Sequence, residues 1–222
     1  MDSNFQSPTH IYNTHTALLV PTVVERTNRG ERSFDIFSRL LREHLIILGS
    51  PIDDTLASLV IAQLLYLDSE NPERDISIYI NSPGGSITAG LAIYDAMHAV
   101  HADVSTFCLG LSASMSTILL AGGTKGKRFC LPNSTVHMHP AGIGQIAGNA
   151  PDIDIHAREL LREQQLIREL LARDTGQSLE RIATDFDRDM YMNAAQAVAY
   201  GIVDGILQTN TSTSDGTGST IT

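Results

Sequence analysis

Ile76-Ser77-Ile78-Tyr79-Ile80-Asn81-Ser82-Pro83-Gly84-Gly85 is the stretch that decides the fold. Its first five residues are β-branched or aromatic at nearly every position, which suits a strand. Asn-Ser-Pro-Gly-Gly then breaks the strand with turn-forming residues. A helix is predicted from about Ile87 to Val100, a strand from Val104 to Leu109, and a short apolar helix from about Ser114 to Leu120. Strands alternating with helices indicate an α/β architecture.

Toward the amino terminus, Asn71-Pro72 closes a helix begun by Asp53 and Asp54. Leu56, Leu59, Val60, Leu64 and Leu67 fit one face of it, and Ile61, Leu65 and Tyr66 predict burial on a second side. Leu45-Ile46-Ile47-Leu48 is a short strand ending at Gly49. Ser33 is expected to cap a helix reaching Leu41, with Ile36, Phe37, Leu40 and Leu41 as its stripe. The charged segment Glu25 to Arg32 is expected to be an exposed loop. Met1 to Thr16 is a polar arm without a secretory pattern, expected to be disordered or a pro-segment.

Toward the carboxyl terminus, Arg128 to His139 is predicted as strands broken by Pro132-Asn133, and Gly142 to Gly148 as a glycine-rich extended segment. A long amphipathic helix starts near Asp152 and Asp154 and stops at Gly176, a left-handed cap. Ser178 and Asn193 start two further helices, and Ile202 to Ile206 is the last strand. The Ser/Thr/Gly-rich tail beyond Thr209 lacks the apolar content to pack.

The 222 residues suit one domain, 42% hydrophobic and 18% charged, with no internal boundary. The net charge of −10 argues against nucleic acid or an anionic membrane as the main partner. No segment approaches the roughly 20 apolar residues of a membrane span. Cys108 and Cys130 sit in apolar strand contexts without CxxC spacing, so they are expected to be buried structural thiols compatible with a reducing cytoplasm.

Four features could carry chemistry. Gly110-Leu111-Ser112-Ala113-Ser114-Met115 joins a strand to a helix, where free N–H groups favour a developing negative charge. Both serines could equally be helix caps. A Gly-x-Ser-x-Gly elbow would select Ser112, but its last position is Ser114 rather than glycine. Spacing leaves the choice open. Paired glycines in Ser82-Pro83-Gly84-Gly85 let backbone approach a ligand, or simply make a tight turn. His137 and His139 share a strand face and could supply a general base or two ligands of a metal, though no third ligand is obvious nearby. Asp185, Asp187 and Asp189 could each orient a histidine or be a solvated run.

The order of these motifs closely resembles the Clp protease proteolytic subunit family, a family of serine peptidases. The resemblance rests on Ser82-Pro83-Gly84-Gly85, then Gly110-x-x-Ala113-Ser114-Met115, then Lys127-Arg128-Phe129-x-Leu131-Pro132-Asn133-Ser134, then a histidine. Gly30-Glu31-Arg32-Ser33-Phe34-Asp35-Ile36, Asp154-Ile155-His156-Ala157-Arg158-Glu159 and Thr175-Gly176-Gln177-Ser178-Leu179-Glu180 match as well, so it spans about Leu18 to Leu207. It implies Ser114 as nucleophile rather than Ser112, His139 as base, Asp189 as acid, and the N–H groups of Gly85 and Met115 as oxyanion donors, with no metal or organic cofactor. Asp185 and Asp187 are then surface residues or helix formers.

The same resemblance implies a crotonase-like α/β fold of repeated β-β-α units with a protruding handle helix, beginning at Asp152. It implies a propeptide over residues 1–17, a peptidase domain over 18–207 and a disordered tail over 208–222. It also implies homo- or hetero-heptameric rings stacked into a cytoplasmic tetradecamer. Pro21 to Arg32 would line its axial entrance, and an AAA+ unfoldase of the ClpX, ClpA or ClpC type would feed it unfolded proteins. No Gly-x-x-x-x-Gly-Lys-[Ser/Thr] motif supplies that energy within this chain. Departures from the family pattern are His137 at a usually apolar site, Pro140 after the base, and Ser77 and Ala99 on the unfoldase-docking surface, where Tyr79 and Phe129 remain. The segment between His139 and Asp152 is about one residue longer than is usual. The rival readings are an acyl-CoA enzyme of the crotonase type, which needs no Ser/His/Asp set, and a non-catalytic ring subunit, which would lack a triad member.

Overall fold

The computed structural model describes residues 20–27, 30–140, 142 and 149–208. The chain divides into two units, one ending at Arg39 and the other beginning at Leu40. The amino-terminal arm, most of the Gly142–Gly148 segment and the tail beyond Gln208 lie outside the described residues.

The first unit is a hairpin. β1 (Thr22–Thr27) and β2 (Gly30–Asp35) pair antiparallel, so the expected loop and the start of the expected Ser33-capped helix are strands instead. The charges explain the difference. Arg26 stands opposite Glu31 and donates to its carboxylate at 2.8 Å, and Arg32 stands opposite Glu25. Opposite charges facing across a ladder support a strand pair that hydropathy does not mark. Helix α1 (Ile36–Leu41) starts later than expected because Asp35, not Ser33, accepts the Ser38 N–H at 2.9 Å.

The second unit is built on a seven-stranded sheet. β3 (Leu45–Leu48), β4 (Ile76–Ser82), β5 (Val104–Ala113), β6 (Arg128–Cys130) and β9 (Gly205–Ile206) run parallel in that order. β5 forks. Its first half pairs with β6, whereas Leu111–Ala113 pair with β7 (Thr135–Met138). Gly110, at φ 67°, bends the strand between the halves in a conformation that L side chains resist. β8 (Met190–Asn193) then pairs antiparallel with β7.

The helices confirm most expected boundaries. α2 (Asp54–Glu70) is capped by Asp53, α3 (Ile87–Ala99) by Ser86, and α6 (Leu179–Asp185) by Ser178. α7 (Ala194–Tyr200) carries a full capping box between Asn193 and Gln196. α5 (Ala150–Thr175) begins two residues before Asp152, capped by Asn149, and ends at Gly176 with φ 75°. α4 (Met115–Ala121) is buried at every residue and packs against the sheet beneath the β5 elbow.

Among the described residues the expected burial of α2 is only partly met: of the second side Ile61 is half-buried against the core, while Leu65 and Tyr66, and Leu59 of the first face, are not covered. Ala57, Val60, Leu64 and Leu67 are buried, but Leu59, Leu65 and Tyr66 are exposed. On α5, Ile167 and Leu171 are buried while Ile153, Ile155 and Leu161 are exposed. No helix among the described residues is long and apolar enough to cross a membrane. Cys108 and Cys130, both fully buried, are direct neighbours in the β5–β6 register. Its hydrogen bond to Cys130 and its burial push the Cys108 thiol up, so it stays protonated.

One buried cation ties the outer sheet together. Arg128, 3% exposed, donates to both oxygens of Asp204 at 2.9 and 2.7 Å, and to the carbonyls of Ala121 and Asp174. Burial alone would raise the Asp204 carboxyl, but the Arg128 hydrogen bonds and charge hold it below its usual value. Replacing Asp204 by Ala strands the guanidinium and should cost about 3 kcal/mol, read as a lower midpoint in urea denaturation. Because the folded value is lowered, this contribution is complete above an unfolded aspartate's value of about 3.9 and is lost as pH falls through the folded one. The Asp204→Ala deficit should therefore shrink in strong acid.

Candidate active site

β4 and β5 end side by side, and the turns that follow them meet. At the end of β5, Ser114 takes φ 55° and ψ −126°, a region that non-glycine residues occupy at a cost of about 1–3 kcal/mol. Surrounding bonds hold it there. Ser114 N–H donates to the His137 carbonyl at 2.9 Å, and Thr117 Oγ1 donates to the carbonyls of Ser112 and His137. Ser116 Oγ accepts from Ala113 N–H at 2.8 Å and reaches the Ser82 carbonyl on the neighbouring strand at 2.8 Å.

This arrangement separates the two serines. Ser112 is fully buried and its hydroxyl faces Ser116 at 3.4 Å, as part of the packing under the turn. Ser114 is half-buried, makes no capping bond, and lines a cavity of about 280 Å³. His139, Gly85, Met115, Ile87, Ile118, Ile167 and Phe186 line the same cavity. Its walls are thus largely apolar, with one hydroxyl, one imidazole and backbone as the polar groups.

The glycine turn is pressed against the elbow. A Cβ on Gly84 would lie 2.5 Å from the Ala113 carbonyl and 2.7 Å from Ser114 Cβ. One on Gly85 would lie 2.2 Å from the Ile52 carbonyl. Ile52 clamps the turn, donating to the Gly84 carbonyl and accepting from Ser86 N–H, both at 2.8 Å. The N–H groups of Gly85 and Met115 have no acceptor among the described residues, and Met115 is the first residue of α4. Two free backbone donors beside a strained serine are the components of an oxyanion site.

Ser114, His139, Gly85 and Met115 therefore come together around one cavity. Asp189 is placed differently. The β7–β8 register pairs Met138 with Met190, so its next step sets Asp189 opposite His139. Yet the Asp189 carboxylate accepts from His137 Nε2 at 3.2 Å, and His139 Nδ1 donates to the Pro140 carbonyl at 2.8 Å. Among the described residues no hydrogen bond joins Ser114 to His139. Asp185, by contrast, is occupied elsewhere, accepting from the Tyr200 hydroxyl and from Arg181. No group of three or more His, Cys, Asp or Glu side chains among the described residues is arranged to hold a metal ion.

The sequence matches the Clp protease family over residues 28–210. The chain belongs to that family. ATP-dependent Clp protease proteolytic subunits of Dehalococcoides mccartyi strains 195 and BAV1 are 57% and 56% identical to it over 190 residues. Each alignment covers 86% of this chain and 94% of the relative. Family membership makes the chain a serine peptidase, with the α/β fold described above. Ile52, which clamps the glycine turn, does not stand out in the sequence, and Gly110, though part of the motif, gives no direct sign there of the bend that aims the elbow. A lone glycine within a strand is the one local signal that could have marked that bend.

Gly84→Ala tests the contact between the turns. The added methyl has no room, and its φ of 86° is unfavourable for alanine. Peptide cleavage should fall at least about 100-fold, the usual cost of misplacing catalytic groups by about 1 Å. Circular dichroism should show the fold retained, separating a displaced elbow from unfolding.

Proposed function

We propose that Ser114, His139 and Asp189 form the catalytic triad of a Clp-type serine endopeptidase, with the Gly85 and Met115 N–H groups as its oxyanion hole. The observation that carries this is the shared cavity, in which the strained, accessible Ser114 meets His139 and both free backbone donors. His139 donates from Nδ1 to a carbonyl, which leaves the Nε2 lone pair of the neutral ring as acceptor. In the reaction Nε2 takes the Ser114 proton as Oγ attacks the peptide carbonyl carbon. The oxyanion that forms lies against the two N–H groups. His139 then gives the proton to the departing amine, and water hydrolyses the acyl-enzyme through the same imidazole. Asp189, turned toward His139, would stabilise the imidazolium that both steps create.

The isoleucine and phenylalanine walls of the cavity suit an apolar substrate side chain beside the scissile bond. The assembly we propose is two stacked seven-membered rings enclosing these sites in the cytoplasm, with residues 1–17 as a propeptide. The exposed apolar residues of α2 and α5, six in all, support burial between subunits. An ATP-dependent Clp unfoldase of the ClpX, ClpA or ClpC type would deliver unfolded chains. Its docking surface would include the stack of Tyr79 on Phe107 at 4.6 Å and Phe107 on Phe129 at 5.5 Å, across β4, β5 and β6.

Ser114→Ala should abolish cleavage of a fluorogenic peptide and labelling by an active-site serine reagent, whereas Ser112→Ala should keep substantial activity. Adduct mapping to Ser112 instead would overturn the assignment. Tyr79→Ala should cut unfoldase-driven degradation of a folded substrate by about tenfold or more, with a far smaller loss in short-peptide cleavage. Equal losses in both assays would remove the stack from the docking surface.

A further inference from the structure

We infer that His137 is a positioning residue that competes with His139 for Asp189, so that one carboxylate is divided between two imidazoles and the division depends on pH. The inference rests on the proposed triad. His137 and His139 project from the same face of β7 with ring centroids 5.3 Å apart. His137 pairs with Tyr191, so Asp189, two residues before Tyr191, is its diagonal neighbour, and Asp189 and His139 are the residues next beyond the last pair of the ladder. Moving the carboxylate from one ring to the other needs only side-chain rotation, because diagonal neighbours on an antiparallel pair lie within reach of polar side chains.

The two partners differ in freedom. The His137 side chain is 13% exposed and its ring stacks on Tyr191 at 4.0 Å and 3°. Its carbonyl is held by Ser114 N–H and Thr117 Oγ1. The Asp189 side chain is 68% exposed. The imidazole is therefore the fixed post and the carboxylate the part that moves. In the conformation described, the carboxylate sits on the post, and His139 has only a peptide carbonyl behind it. A neutral carbonyl can hold the ring's tautomer, but it stabilises the imidazolium far less than a carboxylate does.

The ionisable groups facing His137 are few. From β8 they are Asp189 and Tyr191, and from β7 His139. The paired stretch Leu111–Ala113 of β5 and the whole of α4 carry none. The one in α7, Tyr200, is engaged with Asp185. Arg188 is 91% exposed and lies 3.9 Å from Asp187. Protonation of His137 turns its bond to Asp189 into an ion pair, so falling pH tightens the hold and rising pH releases the carboxylate. His139 must also be neutral to act as base. Two protonations then suppress activity on the acid side.

The test is kcat/KM for a fluorogenic peptide on the assembled protein, from about pH 5.5 to about pH 8.5. The wild type should lose activity toward acid more steeply than one proton allows. His137→Met and His137→Gln, neither of which can be protonated there, should follow a one-proton limb. Their ratio of acid to alkaline activity should rise about 3- to 10-fold above the wild-type ratio. A one-proton limb in the wild type itself overturns the inference, whether or not the variants assemble, and so does a limb unchanged in both variants. Ser114→Ala and Asp189→Asn separate the two readings. If either retains full activity, the triad has failed. If both lose activity while the acid limbs coincide, the triad stands and the competition by His137 is gone.

Discussion

The active-site geometry depends on two backbone turns that touch with no space for a further methyl group. One follows β4 at Gly84 and Gly85, and the other follows β5 at Ser114. The strained serine is tolerable only because neighbouring groups over-determine it. Ile52 holds the glycine turn from one side, while the Ser116 and Thr117 hydroxyls tie the elbow to β4 and β7. Both turns grow from adjacent parallel strands, so the register that sets the core also sets the spacing between the proposed nucleophile and the proposed oxyanion donors. Catalytic groups positioned in this way need no rearrangement when charge develops.

The hydroxyls beneath the elbow have a distinct role from the one above it. The buried Ser82, Ser116 and Thr117 hydroxyls donate to backbone, which satisfies carbonyls that the strand ends leave unpaired, and the buried Ser112 hydroxyl faces Ser116. Substitution of such a group by alanine removes a local bond, but it leaves the cavity and its donors in place. Ser114 alone among these residues faces the cavity. The difference between a capping serine and a nucleophile is here a difference of exposure and backbone angle.

Those are the quantities a linear sequence conceals. Helices with strong caps are legible, as Asp53, Ser178, Asn193 and the left-handed Gly176 show. Strands β3 and β4 are legible from their apolar residues. The β1–β2 hairpin is not, because its pairing rests on Arg26, Glu31, Glu25 and Arg32 rather than on alternating hydropathy. The exposed Leu59, Leu65 and Tyr66 are misread as core because periodicity registers an apolar face without saying what covers it. At the site, spacing leaves Ser112 and Ser114 as rivals. The resemblance chooses Ser114, and the fold supplies a physical reason for that choice. The Asp189–His137 pair is invisible in sequence because it depends on which of two reachable imidazoles a side chain faces.

The catalytic groups we propose thus divide into a rigid half and an adjustable half. The nucleophile and the oxyanion donors are fixed by backbone contacts that a small change would break. The acid is an exposed side chain near the end of a short antiparallel pair, where rotation about its own bonds changes its partner. The parts that must be accurate to fractions of an ångström are held by the formed sheet, whose contacts offset the strain at Ser114. Meanwhile the charge that makes the base effective can be withdrawn without disturbing them. An energy difference of about 1.4 kcal/mol between the two carboxylate positions corresponds to a tenfold shift in their populations. That is within the range of one hydrogen bond gaining or losing its charge, so the competition inferred between the two imidazoles needs no larger energy than one such bond.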